Sequence, residues 1–200
     1  MNPLRASKTS REDHMQFDHL EIVGIAIEAG LSIMDIYESS GQIEVQSKDD
    51  DSPLTKADIA AHKIIIRGLA TIDPEVPVVS EEGRVGDPKQ SELAWLVDPL
   101  DGTKEFIKRN GMFTVNIALM KRLSASWKPI FGVVHAPVNR TTWYGGVDVP
   151  ATKITDAETS EISVRKQTNG QTRLVASGSH RAERDEKFAK ELGEHELVRM

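Results

Sequence analysis

Residues 93–107 read Leu93-Ala94-Trp95-Leu96-Val97-Asp98-Pro99-Leu100-Asp101-Gly102-Thr103-Lys104-Glu105-Phe106-Ile107. The opening apolar run has the composition of a short, fully buried strand. Asp98-Pro99 ends that run, and Asp101-Gly102 supplies a turn from which a short helix starts. Two carboxylates therefore stand where a buried strand emerges. That position suits the lining of a cleft better than the filling of a core.

The pattern repeats upstream. Val76–Val79 reads as another buried strand, and it runs into Ser80-Glu81-Glu82-Gly83. Before it, Lys56–Leu69 has helical periodicity with Ile59, Ile65, Ile66 and Leu69 inward and Asp58 in the first turn. A first helix runs from Phe17 to about Tyr37, with Leu20, Val23, Ile27, Leu31 and Met34 on one apolar face. Between the helices, Ile43–Val45 with Ser47 alternates like a strand, and Lys48-Asp49-Asp50-Asp51-Ser52-Pro53 is polar. Gly83–Ser91 reads as loop.

Downstream, strands are expected at Phe113–Met120, Pro129–His135 and Thr141–Gly145, and Ala151–Ser160 has the composition of a linker. The remainder reads strand (Ile162–Val164), strand (Leu174–Ala176), helix (Glu183–Leu192), strand (Glu196–Val198), an α/β unit with no covering partner after it. Two regions follow: a first domain over 17–149, and the start of an incomplete second domain over 152–200. Residues 1–16 are polar, lack the apolar stretch of a secretory signal and read as a disordered tail.

Composition narrows the function. There are 25 Lys and Arg against 31 Asp and Glu, a net charge of −6, so no basic surplus exists to neutralise a nucleic-acid backbone. An anionic small substrate would need a local positive charge such as a metal ion. With 0 cysteines, disulfides, thiolate zinc sites and thiol nucleophiles are all excluded. No apolar run reaches the roughly 18 residues of a membrane span. The expected location is cytoplasmic.

Hard divalent cations take oxygen ligands, and Mg²⁺ typically uses a few carboxylates with waters and phosphate oxygens. Asp98 and Asp101 converge on such an ion if Pro99 forces a turn, and the Leu100 carbonyl adds a further oxygen. Backbone N–H groups at Asp101-Gly102-Thr103 face a phosphate, the Thr103 hydroxyl orients a water, and Asp58 serves as the base that polarises it. Each element alone also has a plainer reading. Asp-Pro and Asp-Gly are common turn dipeptides, Asp58 complements a helix macrodipole, Glu81-Glu82 suits a solvated loop, and His180 suits a loop position.

In combination, Ser80-Glu81-Glu82 followed by the stretch from Trp95 to Ile107 resembles the signature of the inositol monophosphatase superfamily of Mg²⁺-dependent phosphatases. Ser52-Pro53-Leu54-Thr55-Lys56-Ala57-Asp58 is similar to that family's metal-site segment. Lys104-Glu105-Phe106-Ile107 and the residues to Ala118 resemble the family's bacterial 3'(2'),5'-bisphosphate nucleotidases, whereas its inositol phosphatases tend to have Thr-Asn-Phe after the Gly-Thr pair. The resemblance runs from about Phe17 to Met200.

The resemblance implies an αβαβα sandwich. It also implies lithium-sensitive removal of the 3'-phosphate of adenosine 3',5'-bisphosphate, a by-product of sulfate assimilation, with two or more Mg²⁺ ions. Carried over, Glu81, Asp98, the Leu100 carbonyl and Asp101 are metal ligands, and Asp58 and Thr103 position and activate the attacking water. Glu81, Leu100, Asp101, Gly102, Thr103 and His180 border the substrate. Other members act on inositol or sugar phosphates, and some associate peripherally with the inner membrane. The family continues past the position of Met200 with a Trp-Asp pair whose aspartate completes the metal site. No Trp-Asp occurs in this sequence, so a C-terminally truncated chain that binds without turning over is the competing expectation.

Overall fold

The computed structural model describes residues 17–39, 45–47, 53–124, 126–164, 172–176, 183–193 and 195–199. The tail over 1–16, Ile43, most of the polar stretch before Pro53, and Ser177-Gly178-Ser179-His180 lie outside the described residues. The chain divides into two compact units, one up to Ser160 and one from Glu161.

The first unit opens with α1 (His19–Glu38), capped by Asp18, whose side chain accepts from the Leu20 N–H. Its buried face is Ile22, Val23, Ile25, Ala26, Ala29, Gly30 and Ile33. Of the expected face only Val23 is fully buried: Leu20 is 57% and Leu31 62% exposed. The helix is apolar round much of its circumference, so spacing alone does not choose a face. The choice falls on the stripe holding Ala26, Ala29 and Gly30, which lets neighbouring elements approach closely. A Cβ on Gly30 would lie 2.5 Å from His135 Cδ2, too close to fit without a shift.

Strands β1 (Val45–Ser47) and β2 (Pro53–Thr55) pair antiparallel and lead into α2 (Lys56–Ile72). This helix buries Ala57, Ala61, Ile65 and Leu69 in the same core cluster as α1, and Asp58 is buried as well. Ile59 and Ile66, expected inside, are half-buried.

The main sheet has eight strands in the order β10-β9-β8-β7-β6-β5-β3-β4. They are β3 (Val78–Ser80), β4 (Gly83–Val85), β5 (Leu93–Asp101), β6 (Thr114–Leu123), β7 (Ser126–Ala136), β8 (Thr141–Gly146), β9 (Val149–Ile154) and β10 (Thr159–Glu161). β3 and β5 are parallel, and β5 through β9 pair antiparallel in succession. Trp95, Val97, Val115, Ile117, Leu119, Phe131 and Val133 point into the core that α1 and α2 also fill. This mixed sheet with packed helices is the expected α/β class.

Four sequence readings are corrected here. The Gly83–Ser91 loop contains β4, in a tight hairpin with β3, and a single 3-10 turn at Pro88–Gln90. The linker at Ala151–Ser160 is instead β9 and β10, which extend the sheet to its outer edge, where few side chains are buried and alternation is faint. Ile162–Val164 forms no strand, and all three residues are exposed. Finally, β5 does not stop at Asp98 but runs on to Asp101. Proline in a central strand is tolerated at a bulge. The β5–β6 register shifts between Asp98 and Asp101, and β3 has already ended opposite Val97.

In the second unit, β11 (Thr172–Ala176), α4 (Glu183–Glu191) and β12 (His195–Arg199) form a strand–helix–strand unit with the strands parallel. An Arg173–Glu196 pair at 3.1 Å spans two register partners. No helix among the described residues is long and apolar enough to cross a membrane.

Candidate active site

Three chain ends meet at one edge of the first unit: the start of α2, the end of β3 and the end of β5. Asp58 is only 1% exposed, and its two oxygens have separate duties. Oδ2 accepts from the Thr55 hydroxyl at 2.5 Å and from the Thr55 N–H at 2.8 Å, and the second bond pairs with the Thr55 side chain accepting from the Asp58 N–H as a capping box that fixes the first turn of α2. Oδ1 is left to face Thr103, whose hydroxyl lies 3.2 Å away. The same hydroxyl is 3.2 Å from the Leu100 carbonyl. A hydroxyl has one proton, so it donates to one of these oxygens at a time and keeps lone pairs to accept from a third partner.

Thr103 is placed by α3 (Thr103–Ile107), a helix of barely more than one turn. Its anchor is Phe106, fully buried with its ring 5.3 Å from both Tyr37 and Phe113. The preceding turn depends on Gly102, at φ 94, where an added Cβ would lie 2.7 Å from the Met112 carbonyl oxygen. Substituting Gly102→Ala should therefore cost about 1–3 kcal/mol of stability from backbone strain alone. A lowered urea midpoint together with weakened Mg²⁺ binding is the expected result. An unchanged midpoint would contradict this reading of the turn.

The acids lie beside that turn. Asp98 accepts from the Leu100 N–H at 3.2 Å, across Pro99 at the bulge of β5. Burial, and then the negative charges of Glu81 and Asp101, push its carboxyl up to about 7, and the Leu100 hydrogen bond only partly opposes them. Glu81 is held by its N–H on the Val97 carbonyl, just past β3. Asp101 Oδ2 accepts from Asn116 Nδ2 at 3.2 Å.

The structure thus brings together Asp58, Leu100 and Thr103 by direct hydrogen bonds, and sets Glu81, Asp98 and Asp101 close enough for their charges to interact, with a side-chain hydrogen bond between Asp98 and Glu81. Among the described residues no group of three or more His, Asp or Glu side chains forms a ready-made cage for an ion. Glu81, Asp98 and Asp101 interact without closing round an ion. That suits an ion which keeps several waters and shares its remaining positions with phosphate oxygens. Burial and the two neighbouring acids hold the Asp98 carboxyl protonated up to about 7, and a nearby cation would offset both, so the donor set fits a hard divalent ion such as Mg²⁺.

Three contacts at the site escaped the sequence reading. Thr55 completes the cap on Asp58. His62, one turn after Asp58, meets Ser80 through Nδ1 at 2.9 Å, and burial lowers its pKa. Asn116 meets Asp101, and the signal for it was available: it is an amide inside the apolar run Val115–Leu119.

The sequence profile of the Inositol monophosphatase family matches residues 16–199, and the chain belongs to that family. Among its relatives, the protein from Salmonella typhimurium called 3'(2'),5'-bisphosphate nucleotidase CysQ is 42% identical over 188 residues, covering 89% of this chain and 70% of that protein. The protein of the same name from Escherichia coli K12 is 44% identical over 184 residues, with the same coverage. In structure the chain is similar to CysQ from Bacteroides thetaiotaomicron, described as a bacterial member of the inositol monophosphatase family. The TM-score is 0.73 and the identity 32%, over 90% of this chain and 71% of that one. An IMPase from Thermotoga maritima gives a TM-score of 0.71 at 22% identity, covering 92% of this chain and 68% of the other, a likeness of fold.

Proposed function

We propose that this chain is a 3'(2'),5'-bisphosphate nucleotidase, hydrolysing the 3'-phosphate of adenosine 3',5'-bisphosphate to give AMP and phosphate. The relatives at 42% and 44% identity carry that name. One structural observation supports the chemistry above the rest: the Asp58–Thr103 hydrogen bond stands beside the turn that carries the interacting acids Asp98 and Asp101.

Asp58 is held as a hydrogen-bonded acceptor whose remaining oxygen points at Thr103. The Thr103 hydroxyl donates to Asp58 and accepts from a water, so a proton leaving that water has a path to a carboxylate. The attack is by water directly: the Thr103 hydroxyl is tied to Asp58 as part of the proton path, and the sequence has no cysteine to form a thiol intermediate. Glu81, Asp98, the Leu100 carbonyl and Asp101 would hold Mg²⁺, two ions or more. Metal there supplies a lowered water pKa and neutralises the charge on the transferring phosphoryl group. Leu100 to Thr103 border the phosphate, and His180, outside the described residues, is assigned to the nucleotide. The physiological role that goes with this substrate is clearance of a by-product of sulfate assimilation.

Phosphate release in Mg²⁺ from adenosine 3',5'-bisphosphate, inositol 1-phosphate and a sugar bisphosphate tests the assignment. The nucleotide should be preferred by on the order of tenfold or more in kcat/KM, with turnover stopped by chelation and suppressed by lithium. Preference for inositol 1-phosphate would move the chain to another branch of the family. A folded chain that binds Mg²⁺ yet hydrolyses none of the three would contradict the activity while leaving the metal site standing.

A further inference from the structure

Asn116 sits where a strand would ordinarily carry an apolar or β-branched residue. Its neighbours Val115 and Ile117 are buried, and Asn116 takes the opposite face of β6. There it is the direct register partner of Asp98, and Thr114 is the partner of Asp101, with the bulge of β5 between the two pairs. Its amide is oriented from both ends. Thr114 Oγ1 donates to Asn116 Oδ1 at 3.0 Å, and Asn116 Nδ2 donates to Asp101 Oδ2 at 3.2 Å. An amide whose oxygen is engaged by a hydroxyl presents its NH₂ group to the other side. The Asp101 carboxylate, which only accepts, takes the NH₂ end of Asn116, and the Thr114 hydroxyl secures the oxygen end by donating to it.

We infer that Asn116, oriented by Thr114, is the positioning residue that sets Asp101 for metal binding and so tunes the affinity of the site. The inference rests on the assignment of Asp101 as a metal ligand made above. Without a lateral donor, Asp101 is free to rotate at the mouth of a bulge, driven by the negative charge of Asp98. The Asn116 N–H fixes one carboxylate oxygen and leaves the other for the ion, and it offsets part of the repulsion among the acids. Hydrogen-bonded partners of ligating carboxylates commonly govern metal affinity in this way.

The test is a calorimetric Mg²⁺ titration of the full chain, paired with thermal melting in chelator. Asn116→Leu keeps the size of the side chain and removes the amide. It should weaken Mg²⁺ binding about 10–100-fold. Thr114→Val, which removes the hydroxyl and keeps the shape, should weaken it in the same direction but less, and Thr114→Ser should restore the wild-type dissociation constant. Melting in chelator should change little for all three, which a merely structural role would not allow. Asp98→Asn serves as the reference for the site itself. If Asp98→Asn abolishes binding while Asn116→Leu binds as wild type, the inference is overturned and the site stands. If Asp98→Asn also binds as wild type, the assignment of the site fails first.

Discussion

The Asp58→Asn protein should fold, melt within a few degrees of the wild type, and lose about 10²–10⁴-fold in kcat. The reason lies in how the two carboxylate oxygens are shared. Asparagine can keep its oxygen toward Thr55, where Asp58 Oδ2 accepts at 2.8 and 2.5 Å, and so preserve the cap on α2. Its NH₂ group then occupies the place of Oδ1, 3.2 Å from the Thr103 hydroxyl. That reverses the polarity of the contact: Thr103 becomes the acceptor and turns its own proton away. One of its two lone pairs is taken up by the amide, and the carboxylate that receives the proton is gone. Stability suffers only from the loss of a charge near the helix N-terminus, about 0.3–1 kcal/mol. For a chain of this size that is a shift of a few degrees at most. Thr103→Ala should lose on the order of 10²-fold in kcat by breaking the same contact from the other side. A kcat within tenfold of wild type for both variants would remove the pair from the mechanism.

Asp98→Asn should have opposite effects on stability and on metal response. The native carboxyl is pushed up to about 7 from an ordinary 3.8, by burial first and then by Glu81 and Asp101. The native state therefore binds more protons than the unfolded state between those values. Stability from this group consequently falls as pH rises through that window, with the full penalty above about 7. Asparagine has no such penalty and its oxygen can still accept from the Leu100 N–H. In chelator the variant should melt near the wild type at pH 4 and above it at pH 8. Excess Mg²⁺ should then raise the wild type, by about 2.7 kcal/mol at a hundredfold excess over its dissociation constant, and leave the variant unmoved. Equal Mg²⁺ responses would show that Asp98 is not a ligand. A melting difference independent of pH would show that its charge carries no penalty.

Most of the site was legible because its chemistry is local in sequence. Asp98, Asp101, Gly102 and Thr103 lie within one turn, and Glu81 and Asp58 each mark the end or start of an element whose periodicity is plain. The acids that a strand end delivers are visible without knowing which strands are neighbours. Asn116 is not visible in that way, because its role depends on register. Only the pairing of β5 with β6 puts it opposite Asp98, and only the bulge admits Thr114 to the same cluster.

The errors in the fold have similar causes. Pro99 signals a strand end on local grounds, but it costs little where β3 has already stopped and the chain bulges. β9 and β10 carry threonines, a serine, a glutamate and a lysine on an edge with little burial, so hydrophobic alternation could not reveal them. For α1 the pattern identified a helix and missed its face. Large residues lie on several sides, and small ones decide the packing.

The central claim is that metal at the end of β5 meets the 3'-phosphate of the nucleotide. The Thr103→Ala protein, with its acids intact and turnover suppressed, allows that meeting to be observed directly. Mn²⁺, substituted for Mg²⁺ at substoichiometric levels, broadens the ³¹P resonance of any phosphate beside it. With adenosine 3',5'-bisphosphate bound, the 3'-phosphorus should broaden well beyond the 5'-phosphorus, and adding Asp98→Asn should abolish the difference. Equal broadening of the two phosphates, or a difference that survives Asp98→Asn, would contradict the account.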